Sequence, residues 1–158
     1  MKLKIAFLMI SLILFFSICV PLISQDRKMS TGLGAEWNMN ARSNFAGGAA
    51  SGFLFNLPGN SAIGITVTAS TVFWGFEIIE PTFLVRYYFQ KMPYSGFYGQ
   101  FDFGPFFYIE DGASNYYFEL GVRAGYRLLL GSLFYIEPYG RLGFPLAFGI
   151  GASMGVRF

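Results

Sequence analysis

The stretch Ala147-Phe-Gly-Ile-Gly-Ala-Ser-Met-Gly-Val-Arg-Phe158 decides the fold. Along a strand, successive side chains point to opposite faces. Phe148, Ile150, Ala152, Met154, Val156 and Phe158 therefore share one face, while Ala147, Gly149, Gly151, Ser153, Gly155 and Arg157 share the other. One face is apolar, the other small or charged, and the sequence closes on an outward phenylalanine. The ends of soluble chains fray into water. A last strand with a wholly apolar face fits an apolar surrounding better.

The same alternation runs back through the chain. Segments recur about every sixteen residues, separated by turn chemistry, as the tilted strands of a barrel do. Strands are expected over residues 29–39, 45–57, 61–73, 81–89, 96–108, 116–129, 133–143 and 147–158. The sixth is the clearest: Phe118, Leu120, Val122, Ala124, Tyr126 and Leu128 alternate with Tyr117, Glu119, Gly121, Arg123, Gly125 and Arg127. Pro58-Gly59-Asn60 is a tight-turn signal. Residues 40–44, 74–80 and 109–115 read as loops. Pro81 can open a strand and Pro105 lies near the end of one. Pro138 falls in mid-strand, where a closed barrel has no free edge, and predicts a bulge. About eight strands result, the even number a single-chain bacterial barrel requires.

At the other end, Lys2 and Lys4 precede an apolar run from Ile5 to Val20, followed by Pro21-Leu-Ile-Ser24-Gln25. This is the pattern of a secretory signal peptide, with Ser24 as its last residue. The expected organisation is a cleaved leader over 1–24 and one barrel domain over 25–158. A retained anchor is the alternative, and the run is short of the roughly 20 apolar residues a spanning helix needs. Cys19, the only cysteine, lies in the leader, so the exported chain would hold no disulfide.

Past the leader no apolar run is long enough for a spanning helix, yet the sequence is 54% hydrophobic and 20% aromatic. Membranes admit only helices or closed barrels, because every backbone polar group must be satisfied internally. A barrel remains. Without Lys2 and Lys4, nine cations balance nine acids, which excludes a basic nucleic-acid-binding surface. Seven of those nine cations are Arg, the residue suited to enclosed, multiply hydrogen-bonded ion pairs.

The fold class is accordingly all-β, an antiparallel up-and-down transmembrane barrel. A soluble lipocalin-like barrel would use the same period with its faces reversed. Here the polar face carries Gly, Ser, Thr and Arg rather than Lys, and aromatics such as Trp37, Phe53, Phe55, Tyr87, Phe89, Phe97 and Tyr126 sit near strand ends on the apolar face, as in interfacial girdles. An Arg on the lipid side would cost about 2–4 kcal/mol at mid-membrane. Turning the Arg-bearing face inward avoids that in every strand. The lumen then holds Glu36, Glu80, Asp102, Glu119 and Glu137 with Arg86, Arg123, Arg127, Arg141 and Arg157. An eight-stranded interior is just wide enough for side chains to fill, so these read as an ion network that plugs the barrel rather than as a selectivity filter. Hairpin pairing through 109–115 sets Asp102 opposite Arg123. Pairing through 130–132 sets Glu137 beside Gly125, between Arg123 and Arg127.

The leader, the strand count and the closing Phe together resemble the small eight-stranded bacterial outer-membrane barrels, the group containing OmpX, OmpW and the OmpA membrane domain. The last strand is similar to their C-terminal assembly signal, with Met154, Val156 and Phe158 at the matching positions. The resemblance implies location in the cell outer membrane. It also implies outer-membrane lipid, the barrel-assembly machinery and periplasmic chaperones as partners, and a monomer. The short loops depart from the long hairpins of the adhesion-linked members.

Catalysis finds no support. The sequence has no His, which removes His-assisted nucleophilic or metal chemistry. Glu77 and Glu80 read as loop or lumen residues rather than an acid–base pair. Gly149 to Gly155 lacks the dinucleotide spacing, and Glu110 and Asp111 lack calcium-ligand spacing. No catalytic, cofactor or metal site is expected. The expected function is a structural or small-solute transport-associated outer-membrane protein. Alternatives are a soluble periplasmic binder of an apolar ligand and a surface interaction protein acting through its loops.

Overall fold

Eight antiparallel strands build the chain: β1 (Met29–Met39), β2 (Phe45–Leu57), β3 (Ser61–Val72), β4 (Phe76–Tyr88), β5 (Gly96–Glu110), β6 (Ala113–Leu130), β7 (Phe134–Phe144) and β8 (Phe148–Arg157). Each pairs with its neighbour in sequence, and β8 returns to β1 from Met39↔Phe148 to Ser30↔Arg157, closing the barrel. The structure, a computed structural model, describes residues 28–39, 45–72, 76–90, 94–110 and 113–158. The expected leader over 1–24, with Cys19, and the 40–44 loop lie outside them. Among the described residues no helix is long and apolar enough to cross a membrane, which bears on helices alone.

The two faces follow the sequence alternation. Leu33, Ile65, Phe83, Val85, Leu120 and Ile150 are exposed on the outside, whereas Glu36, Thr66, Thr82, Arg86, Arg123 and Arg141 are buried inside. Charges within and aromatics without is the arrangement of a barrel in lipid, the reverse of a lipocalin-like one. Exposed rings gather towards both rims. Tyr87, Phe89 and Phe97 lie towards the end that carries Met29 and Phe158, and Phe45, Tyr116, Phe118 and Phe144 towards the other. At the terminus end Gly59 and Asn60 both take positive φ, 83° and 68°, which the Pro-Gly-Asn turn tolerates.

Several expectations are corrected. The segment 74–80 is not all loop: β4 starts at Phe76, five residues ahead of Pro81, and pairs Glu77 with Thr71 and Ile78 with Ser70. Ile78 points inward into a small apolar cap with Ala46, Phe106 and Leu146, so a rule of apolar-out, polar-in fails there. The 109–115 loop contracts in the same way, since β5 and β6 stay paired up to Glu110↔Ala113. Pro138 makes no bulge. The β6–β7 pairing skips Tyr126 and Arg127 and resumes in the same register, Leu128↔Ile136 on one side and Gly125↔Tyr139 on the other. The prolines of β4 and β5 behave alike: pairing stops after Ile79↔Phe107 and resumes at Phe83↔Phe103, so Pro81 and Pro105 face each other. Two residues that cannot donate are set against one another, which concentrates the lost ladder bonds in one short break.

Phe158 is also corrected. Met154 is exposed and Val156 half-buried, but Phe158 is buried at 6% exposure. Its backbone exchanges two hydrogen bonds with Met29, each 3.0 Å, and Arg157 N–H donates to Leu133 O at 2.7 Å. The last two residues thus continue the ladder to both neighbouring strands at the closing seam, while the Phe158 ring is not open like that of Phe148.

Candidate functional site: the lumen

The interior is layered. At the loop end Ala46, Ile78, Phe106 and Leu146 form an apolar cap with Tyr108 against it. At the terminus end Leu54, Ala62, Leu84, Tyr88, Tyr98 and Tyr139 form a second cluster, with Tyr94 against it. Beneath the first and interleaved with the second lie the charged residues that strand alternation turns inward.

Arg141 on β7 is the hub of the upper part. Its Nη1 donates to Glu36 Oε1 at 2.8 Å, and its Nη2 donates to Glu80 Oε2 at 2.9 Å and to Glu119 Oε1. One guanidinium thus bridges β1, β4 and β6, using the planar fork that Lys lacks. Glu36 also accepts from Asn38 Nδ2 at 2.6 Å and from Tyr139 Oη at 2.9 Å. Arg123 links the layers, with Nη2 3.9 Å from Glu36 Oε2 and Nε 3.4 Å from Asp102 Oδ2. Its guanidinium lies 4.3 Å from the Tyr139 ring centroid, a cation–π distance.

Gln100 carries the chain downward. It donates to Asp102 Oδ1 at 2.5 Å and accepts from Arg86 Nε at 2.8 Å. Arg86 Nη1 crosses the lumen to Glu137 Oε1 at 2.7 Å. Arg127 Nε donates to Glu137 Oε2 at 2.5 Å, its Nη2 pairs with the same oxygen, and its Nη1 donates to Ser30 Oγ at 3.2 Å. Arg86 and Arg127 are further held over Tyr98 and Tyr135, at 3.8 Å and 4.1 Å.

Nine of the ten expected lumen charges therefore join one chain of contacts through Gln100, from Glu80 and Glu119 through Arg141, Glu36, Arg123, Asp102 and Arg86 to Glu137 and Arg127. Arg157 is inward and buried too, and donates to the Ser132 carbonyl at 3.3 Å near the terminus end. Asp102 still meets Arg123 and Glu137 still meets Arg127, but both registers are shifted by two residues from expectation. Arg123 faces Gln100 while Asp102 faces Gly121. Resumed pairing across Pro138 puts Glu137 opposite Arg127, not Gly125. The hairpin turns are tighter or longer than the sequence suggested, and register follows turn length. Ser30, Asn38 and Gln100 complete the network; all three are polar residues at inward positions, and that parity is the signal that finds them. Glu77 and Glu80 point to opposite faces, Glu77 exposed and Glu80 buried, so they form no acid–base pair.

What this arrangement does is fill space with paired charge, five carboxylates against four guanidiniums in the chain, with Arg157 as the fifth cation of the lumen. Buried ion pairs gain little net stability, but removing one partner is costly. Alongside Arg86, Arg123, Glu137 and Tyr135 a cavity of about 30 Å³ remains, room for about one water. No group of three or more His, Cys, Asp or Glu side chains that could hold a metal occurs among the described residues.

No protein-family model and no curated protein matches the chain. Solved structures do. Neisserial surface protein A matches with a TM-score of 0.58 at 11% identity, covering 82% of this chain and 96% of its own. The N-terminal β-barrel domain of Pseudomonas aeruginosa OprF matches with a TM-score of 0.55 at 12% identity, covering 82% and 97%. A de novo designed transmembrane β-barrel matches with a TM-score of 0.52 at 12% identity, covering 80% and 95%. A designed barrel among the neighbours underlines that this likeness concerns architecture. The chain has the fold of the small eight-stranded transmembrane β-barrels.

Proposed function

We propose that this chain is an integral outer-membrane protein with a structural role, exported by the leader over 1–24, and that its lumen is a rigid plug rather than a pore. The observation that carries this reading is the chain of ion pairs from Glu80 to Arg127, which lies beneath the apolar cap at the loop end and interleaves with Tyr88, Tyr98 and Tyr135 towards the terminus end. Every guanidinium in that chain has a carboxylate partner, which leaves no ring of free charge to select ions. Catalysis has no place in the reading. The sequence has no His, and the buried carboxylates are tied up with arginines. Met154, Val156 and Phe158 serve as the assembly signal read by the barrel-assembly machinery, periplasmic chaperones escort the unfolded chain, and the folded protein is a monomer in lipid. Any traffic would be of small apolar solutes at the wall.

Membrane fractionation with gel mobility tests the location. The chain should stay in the outer-membrane fraction until detergent is added and should migrate differently before and after boiling. Release by osmotic shock would refute the integral reading.

A second reading, surface interaction, draws on one observation. β6 begins at Ala113 but finds its first β7 partner only at Leu120, and Tyr116, Tyr117 and Phe118 are exposed on that overhang. Surface labelling of Tyr116 in intact cells would favour it.

A further inference from the structure

One part of the outer wall is hollow. Small outward residues align in two places: Ala152, Ala35, Ala49 and Ala69 pair in turn across β8, β1, β2 and β3, and Gly99, Ala124 and Gly140 pair across β5, β6 and β7, where two of the three lack even a Cβ. The row on one side is Phe101, Val122, Leu142 and Phe148, all exposed. On the other side Phe97 and Tyr126 stack edge to face, centroids 4.7 Å apart. Phe89 lies over Gly99, 3.4 Å from where a Cβ would sit. The result is a groove of about 820 Å³ whose outer lining includes Phe89, Phe97, Ala124, Tyr126, Pro138 and Gly140.

The floor is thin. Tyr98 and Tyr139 line the groove from the lumen side, packed under Gly125 and Gly151, where a Cβ would approach their rings to 2.6 Å. The buried Tyr98 hydroxyl makes no hydrogen bond of normal geometry. Alongside, β6–β7 pairing is interrupted at Tyr126 and Arg127, and Pro138 offers no donor. Above Gly140 the space is open: a Cβ there would meet only Gly149 O, at 3.8 Å.

We propose that this groove across β5 to β8 seats one hydrocarbon chain of a membrane glycerophospholipid and holds it apart from the bulk bilayer. The proposal rests on the reading of the apolar face as lipid-facing, and three features support it. The groove is continuous with that belt, so hydrocarbon is what reaches it. Among the described residues no charged side chain lines it, so the contacts it offers suit hydrocarbon. Its volume lies in the range of about 300–1,000 Å³ typical of small-molecule sites, whereas a stable protein partner needs about 1,200–2,000 Å² of interface, far more than one groove offers.

The test uses the full chain folded into vesicles of phosphatidylethanolamine and phosphatidylglycerol, extracted into mild detergent and weighed by native mass spectrometry. Gly140→Leu fills the groove; Ala69→Leu places the same side chain on the outward face of β3, away from it. Wild type and Ala69→Leu should retain one phospholipid per chain, and Gly140→Leu should lose it by roughly tenfold, about 1.4 kcal/mol of affinity. Ala124→Leu gives the same reading should Gly140→Leu not fold. Equal retention in all variants, or none in any, would overturn the site. So would a dimer that Gly140→Leu disrupts, since the occupant would then be a second copy. Failure of wild type to enter vesicles at all would remove the membrane reading, and the site with it.

Discussion

Arg86 on β4 and Glu137 on β7 meet across the lumen, Nη1 to Oε1 at 2.7 Å, and Glu137 shares its other oxygen with Arg127. One carboxylate on β7 therefore holds two guanidiniums, one from β4 and one from β6. Replacing Glu137 with Leu leaves both cations facing each other in a confined space, at a cost of about 3–5 kcal/mol. Adding Arg127→Met removes one of the stranded charges, so the double variant should be less destabilised than the sum of the singles, by about 0.5–3 kcal/mol of coupling. Denaturant unfolding in lipid vesicles reads this. Additive midpoints would mean the residues do not interact.

Arg141 tests the fork. Arg141→Met strands Glu80 and Glu119, while Glu36 keeps Arg123, Asn38 and Tyr139, and should cost about 3–5 kcal/mol. Arg141→Lys keeps the charge but not the geometry, and should still cost about 1–3 kcal/mol for acceptors left unmet. Because the pairs are buried, the wild-type midpoint should shift little between low and high salt. A strong salt dependence would place these charges in solvent.

The facing prolines predict a local weakness. Amides flanking the β4–β5 break at Pro81 and Pro105 should exchange faster than those at Leu84 and Phe101, where pairing is intact. Pro105→Val restores a donor opposite Pro81 and should slow that exchange while adding about 0.5–1.5 kcal/mol. Uniform exchange along β4 and β5 would show that the break is not a weak point.

At the chain end, deleting Phe158 removes a buried ring and two backbone bonds to Met29 together. The heat-modifiable form in membranes should fall sharply, and Phe158→Ala, which keeps the backbone bonds, should fall less. Normal levels of the deleted protein would separate the terminal residue from assembly.

Strand positions were legible because period-two alternation survives wherever one face meets lipid. β1 and β2 occupy the spans the alternation marks, and the inward parity of Glu36, Arg86, Arg123 and Arg141 follows from it. The alternation is silent where both faces are apolar, which is why Ile78 hid the start of β4. Register was the harder part. Asp102 and Glu137 each moved by two residues, since turn length sets pairing and side-chain parity is blind to even shifts. Asp111-Gly112 between β5 and β6 is the strong hairpin dipeptide; weighed as such, it would have shortened the 109–115 loop. The groove over Gly140 depends on three strands aligning small residues, which no single strand reveals.

The central claim is that the lumen is closed, and conductance tests it most directly. With Arg86, Arg123, Arg127 and Arg141 each paired across a filled interior, purified protein in planar bilayers should pass no steady current. A stable, ohmic, porin-like conductance from the single chain would contradict the plugged barrel.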